Sequence, residues 1–161
     1  MNEKEIFLNE LARESQTTIR VLKAYPADKS DLKPAAILKT ARELAFVFVS
    51  EQALAEAAIK GVLDPSGFPQ VSGTLPEIIG RYEQRVNETM RKVEAMSDAD
   101  WNSRMDFLVG PGKMEKVRRA DILWLTLNDM IHHRGQFSVY LRMAGGKVPS
   151  IYGPTAEEPW M

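Results

Sequence analysis

The stretch Asp121 to Met143, DILWLTLNDMIHHRGQFSVYLRM, constrains this chain more than any other. It is the longest apolar-rich run, and it sits inside a segment, Arg119 to Ala144, that ends at Gly145-Gly146. Glycine just past the last periodic residue is a helix stop signal. At about 1.5 Å per residue the segment makes a helix of about 40 Å, long enough to cross a small bundle. The same stretch holds both histidines, His132 and His133, with Asp129 one turn before His133.

The rest of the chain supplies partners of matching length. Asn2 to Lys23 reads as a first helix, with Leu8, Leu11, Ser15, Ile19 and Leu22 on one face and Ile6 and Phe7 leading in. Glu10, Arg13, Glu14 and Arg20 fall on the opposite, wet face, and Tyr25-Pro26 closes the helix. Residues 26 to 39 form a connection with a helical turn expected near its end. Thr40-Ala41-Arg42-Glu43 matches a capping box for a second helix running to about Lys60, with Gly61 as its stop. A start near Pro34 is the alternative. Leu44 to Val49 are all apolar, so this helix is expected to be buried on more than one side.

Residues 61 to 73 are rich in glycine and proline and read as a loop. Thr74-Leu75-Pro76-Glu77 is a second capping box. The third helix after it carries Leu75, Ile78, Ile79, Tyr82, Val86, Met90 and Val93 on one face. Residues 97 to 119 are the least helical part of the second half. Ser97-Asp98-Ala99-Asp100 suits a turn or short helix start, and Gly110-Pro111-Gly112 between Met105–Val109 and Met114–Val117 suits a small hairpin or an irregular excursion. Residues 146 to 161 form an extended strap, pinned by Tyr152 and Trp160. The whole, residues 1 to 161, is expected to be one all-α domain, a four-helix bundle with a long crossover connection.

Composition removes several function classes. The chain has no cysteine, which excludes disulfides, thiolate metal sites and a cysteine nucleophile, and fits a reducing cytoplasm. Formal net charge is −1, with bases and acids interleaved, so nothing points to nucleic acid or a membrane surface. No run of about 18 apolar residues is present for a membrane span, and the acidic N-terminus lacks the pattern of a signal peptide. There is no glycine-rich phosphate cradle, no G-x-S-x-G elbow, and no serine marked out as a partner for His133.

Asp129 and His133 stand at i and i+4, so their side chains converge. A carboxylate and an imidazole so placed make a partial metal site. The same spacing also suits a plain hydrogen-bonded pair, which is the commoner arrangement. A third ligand has to come from another helix, and on helix two the nearest ligand-capable residue is Glu51, one turn beyond Val47. His132 points about 100° away from His133, which suits a surface or interface residue.

The run Asn128–Met143, NDMIHHRGQFSVYLRM, followed by GGKVPSIYG, resembles the fourth helix and exit of the DinB-like (YfiT/DinB) superfamily. His133-Arg134-Gly135-Gln136 matches its H-R-G-Q signature. Pro26–Lys29 with Leu32-Lys33-Pro34 resembles the segment joining the first two helices, and Glu43–Val47 resembles E-L-x-x-H. The resemblance covers the whole chain. It implies a four-helix bundle, a homodimer and a divalent metal held by three histidines, one on helix two and two on helix four. Those positions fall here on Val47, Asp129 and His133, of which only His133 is retained.

Two functions follow from that departure. In the first, the site is rebuilt on His133, Asp129 and Glu51 around a divalent nickel, zinc or manganese ion. The chain is then a metal-dependent thiol transferase or hydrolase-type enzyme acting on a small-molecule thiol, with no catalytic residue assigned. In the second, the chain is a non-catalytic dimeric bundle, structural or small-molecule-binding, that has lost the metal. Gly135 inside the helix suggests close approach of a partner backbone, with Arg134 and Gln136 bonding across a contact formed by helices two and four.

Overall fold

The computed structural model describes residues 1–161 and consists of four long helices, one short helix and one hairpin. In chain order these are α1 (Glu3–Lys23), α2 (Ala41–Lys60), α3 (Leu75–Ala95), α4 (Asp98–Asn102), β1 (Arg104–Gly110), β2 (Lys113–Arg118) and α5 (Arg119–Met143). The expected all-α four-helix bundle is present, with the two-stranded hairpin as a minor addition.

Capping explains where the helices begin. At α2 the Thr40 hydroxyl accepts from the Glu43 amide at 3.1 Å, and the Glu43 carboxylate accepts from the Thr40 amide at 2.7 Å. Two backbone donors are thus satisfied reciprocally, which selects Thr40 over Pro34 as the start. Glu77 likewise reaches back to the Thr74 amide at 2.7 Å, and Asn2 and Glu5 form the same arrangement at α1. α2 stops at Gly61, whose φ of +76° is the left-handed conformation that lets its amide turn back onto Ala57 and Ala58 carbonyls.

The same end of α2 is held by a distant residue. Arg119 is almost fully buried and donates from Nε to the Ala58 carbonyl at 2.7 Å and from Nη2 to the Ile59 carbonyl. Its Nη1 reaches Asp100 at 3.0 Å. A guanidinium at a helix C-terminus satisfies orphan carbonyls and opposes the helix dipole. It also ties α2 to α4 and to the start of α5. Arg119→Met is therefore expected to cost about 2 kcal/mol, read as a lower urea midpoint with an unchanged m-value.

α1 and α2 each pack against both α3 and α5, so they occupy opposite corners of the bundle. Residues 24 to 40 cross that diagonal. They contain a 3-10 turn at the start of the connection, Ala27–Lys29, and a second hydrogen-bonded turn near its end, where the sequence suggested one, with the Leu38 amide donating to the Ala35 carbonyl at 3.0 Å. Lys29 anchors the turn by donating to the Ala144 carbonyl at 2.9 Å. The core between the helices includes Phe48, which lies 5.6 Å from the Tyr82 ring and 6.4 Å from Phe137. α2 has only Lys60 exposed along its length, as its all-round apolar sequence requires.

The excursion after α3 resolves into α4 and a hairpin. β1 pairs antiparallel with β2, Met105 opposite Val117 and Phe107 opposite Glu115, and the turn uses Gly112 at φ +67°. Met105 and Phe107 point into the core, while Leu108, Val109 and Met114 near the tip stay exposed. No helix is long and apolar enough to cross a membrane.

Two sequence expectations fail in instructive ways. Glu14, assigned to the wet face of the first helix, is buried. Arg134, assigned to a contact between chains, points inward and is buried with it, Nη1 to Oε2 at 2.7 Å. Tyr152 does pin the tail, as expected: its hydroxyl donates to Glu14 at 2.8 Å and accepts from Arg134 Nη2 at 2.6 Å. Trp160 is mostly exposed and its indole bonds Ser150, so it braces the tail on itself.

Candidate metal centre

α5 presents three stripes of side chains. Leu123, Leu127, Met130, Arg134, Phe137 and Leu141 face the centre of the bundle and are buried. Leu125, His132, Gly135, Val139 and Met143 face outward and are exposed. Between them, Ile122, Thr126, Asp129 and His133 run along one side. The middle stripe meets Glu51 of α2, because α2 and α5 lie side by side.

One ligand atom each from Glu51, Asp129 and His133 lies within 4.8 Å of the other two. His133 Nδ1 is 2.7 Å from Glu51 Oε1 and 3.6 Å from Asp129 Oδ1. The i, i+4 convergence of Asp129 and His133 is therefore real, and the helix-two residue that joins them is Glu51. Val47 is half-buried apolar packing and supplies no ligand. His132 lies outside the group, exposed, with its Nε2 2.9 Å from the Gln136 amide.

The environments of the three differ. Glu51 is 4% exposed, Asp129 about half exposed and His133 between them. Glu51 Oε2 is buried with no hydrogen-bond partner. Burial pushes the Glu51 carboxyl up to about 7, against the opposing pull of His133. The hydrogen bond that His133 donates to the Glu51 carboxylate outweighs burial and raises the imidazole above its ordinary value.

That arrangement fits a divalent cation on chemical grounds. A buried carboxylate oxygen with no partner is unfavourable unless something cationic or donating meets it. Two carboxylates and one imidazole form a mixed oxygen and nitrogen donor set, suited to manganese, zinc or nickel more than to soft ions. The 2.7 Å Glu51–His133 contact is also a complete hydrogen bond in the absence of an ion, so the protein holds the site closed by itself.

Sequence reasoning missed the buried polar cluster behind this site. Arg134 donates to the Glu14 carboxylate, to the Glu14 carbonyl at 3.1 Å and to the Tyr152 hydroxyl. It sits one residue from His133 and fixes the rotation of α5 about its own axis. The signal was available in the phase of the helix: Arg134 lies four residues after Met130 and three before Phe137, on the core stripe.

The model of the DinB family matches residues 1–160. A DinB-like protein from Bacillus cereus has the same fold, at 21% identity and a TM-score of 0.77, over 92% of this chain and 97% of that one. A DinB-like protein from Bacillus subtilis, YjoA, aligns at 20% identity and a TM-score of 0.71, over 86% of this chain and 92% of that one. A conserved protein from Enterococcus faecalis aligns at 16% identity and a TM-score of 0.64, over 89% and 97%. In sequence, the uncharacterized protein YrdA of Bacillus subtilis is 30% identical over 82 residues. That match spans 50% of this chain and 46% of YrdA, so the chain covers about half the length of that relative.

Proposed function

This chain belongs to the DinB family, and from that premise we propose that Glu51, Asp129 and His133 bind one divalent cation, with manganese, zinc or nickel as the metals to try. The observation that carries the reading is the buried, unpartnered Glu51 Oε2 beside an imidazole and a second carboxylate. Glu51 takes the third ligand position that Val47 leaves empty. On this reading the chain is a metal-dependent enzyme of the thiol-transferase or hydrolase type, and a bound divalent ion supplies Lewis acidity that lowers the pKa of a coordinated thiol or water. The half-exposed Asp129 side gives a small molecule its approach, while Phe48, edge-on to His133 at 6.5 Å between ring centroids, closes the inner side. Elemental analysis of protein purified without a chelating tag tests the reading. The expected result is close to one divalent ion per chain. Metal-free protein that gains no thermal stability with manganese, zinc or nickel overturns it in favour of the second reading, a non-catalytic bundle closed by the Glu51–His133 hydrogen bond.

A homodimer through α5 and its neighbour α2 belongs to the same proposal. The outward stripe of α5 exposes Leu125, Val139 and Met143 at about half of their full area. A Cβ at Gly135 would meet nothing within 4 Å, so the glycine leaves open space on that stripe. Exposed apolar stripes of this kind mark association surfaces. Light scattering at micromolar concentration is expected to give twice the chain mass. Val139→Glu is expected to give the chain mass, by placing a charge in the contact. A monomeric wild type contradicts the dimer.

A further inference from the structure

A second concave site lies on the other side of α2, between α2 and α3 and under residues 62 to 68. The cleft has a volume of about 540 Å³. Its chemistry is independent of the Glu51 centre, because consecutive residues on a helix point about 100° apart and Gln52, not Glu51, lines it.

Three polar side chains on its walls lack protein partners. Gln52 is 3% exposed, and its buried Oε1 has no hydrogen bond. Native interiors seldom leave such an amide unmatched. Thr89, also 3% exposed, presents a hydroxyl from α3. Arg85, one turn before Thr89, is half-buried and takes part in no ion pair. The other charges of the cleft are already committed. Glu56 holds Lys92 at 2.6 Å and Lys60 at 3.2 Å, and Glu88 accepts from Gln84 at 2.9 Å. Arg81, also on the wall, donates to the Ser72 hydroxyl and carbonyl, which leaves Arg85 as the cleft cation with no bonded partner. Val62, which is 65% exposed, and Phe68 give the cleft its larger apolar side chains.

We propose that this cleft binds a small organic acid that carries an N–H or O–H donor next to its carboxylate and an apolar side chain. Arg85 and the Thr89 hydroxyl take the carboxylate, the Gln52 amide turns its buried Oε1 into the cleft to accept from the neighbouring donor, and the side chain covers Val62 and Phe68. A planar carboxylate matches the guanidinium fork. The cleft is larger than a bare inorganic anion needs, and small-molecule sites combine an apolar wall with a few convergent polar groups in this way.

The probes are L-phenyllactate, which has the carboxylate, the hydroxyl and the ring, and 3-phenylpropionate, which lacks the hydroxyl. Each is titrated into the protein while the Gln52 and Arg85 side-chain N–H resonances are followed. Phenyllactate is expected to saturate within about 20 mM, to bind several-fold more tightly than phenylpropionate, and to weaken about tenfold in Arg85→Met. Gln52→Leu is expected to erase the difference between the two probes. Both variants are first checked for a wild-type circular dichroism spectrum, and either one suffices for the test. No saturation by phenyllactate, equal binding of the two probes to the wild type, or binding unchanged in both variants overturns the proposal. Inorganic phosphate binding as tightly as phenyllactate overturns it too, because the apolar wall then contributes nothing.

Discussion

Arg134→Met is expected to lower the melting temperature by about 10 °C. The guanidinium is 2% exposed and faces a carboxylate that is also 2% exposed. Removing one partner of a buried pair leaves the other charge without compensation, which costs about 3–5 kcal/mol. In a chain of this size each kcal/mol moves the midpoint by about 2–4 °C. Glu14 keeps two weaker partners, the Tyr152 hydroxyl at 2.8 Å and Arg13 at 3.1 Å, which places the loss toward the lower end of that range. The double variant Glu14→Leu/Arg134→Met is expected to recover most of the stability, since two apolar groups replace two desolvated charges. Tyr152→Phe alone is expected to release the tail to proteolysis with only a small change in midpoint.

The pair also sets an acid limit. Burial pushes the Glu14 carboxyl up, but the hydrogen bonds from Tyr152 and Arg134 outweigh it and hold the group below its ordinary value of 4.5. A carboxyl with a lowered folded-state pKa binds fewer protons when folded than when unfolded. Its contribution is present above about pH 4.5 and lost as pH falls further. The drop in midpoint on acidification is expected to be shallower in the double variant than in the wild type, which a thermal scan series between pH 3 and pH 6 reads directly.

The long helices were legible because capping and periodicity agree locally. Thr40, Thr74 and Gly61 sit where two or three adjacent residues decide the backbone geometry, and no distant contact has to be known. Asp129 and His133 were legible for the same reason, being one turn apart on one helix. Glu51 could be named from its side of α2, but its burial, and hence its raised carboxyl, depends on how α2 docks on α5. Glu14 and Arg134 were misread because a charge on a helix ordinarily marks the solvent face. Their pairing joins residues 120 apart, and no local pattern of either helix encodes it. Reading the phase of Arg134 against Met130 and Phe137, and giving it precedence over charge, would have placed it inside.

His133→Ala is expected to abolish metal binding and the stabilisation that comes with it. If the wild type gains about 2.7 kcal/mol at a metal concentration a hundred times Kd, its midpoint rises by about 5–10 °C, and the variant shows no rise. Glu51→Gln is expected to weaken binding strongly, because a neutral amide replaces the buried carboxylate while the packing stays. Asp129→Asn is expected to weaken it less, since that group is half exposed and its charge is screened. Protons compete for the same atoms. In the metal-free protein the folded-state pKa of Glu51 is raised from 4.5 to about 7, and that of His133 is raised from 6.5. Both groups bind protons more tightly folded than unfolded. Their contribution to the metal-free fold is full at low pH and declines as pH rises through these raised values. Metal affinity runs the opposite way, climbing as Glu51 and His133 lose protons. The metal-induced rise in midpoint is therefore expected to be small at pH 6 and large at pH 8, and a rise that is the same at both pH values would show that the ion binds elsewhere.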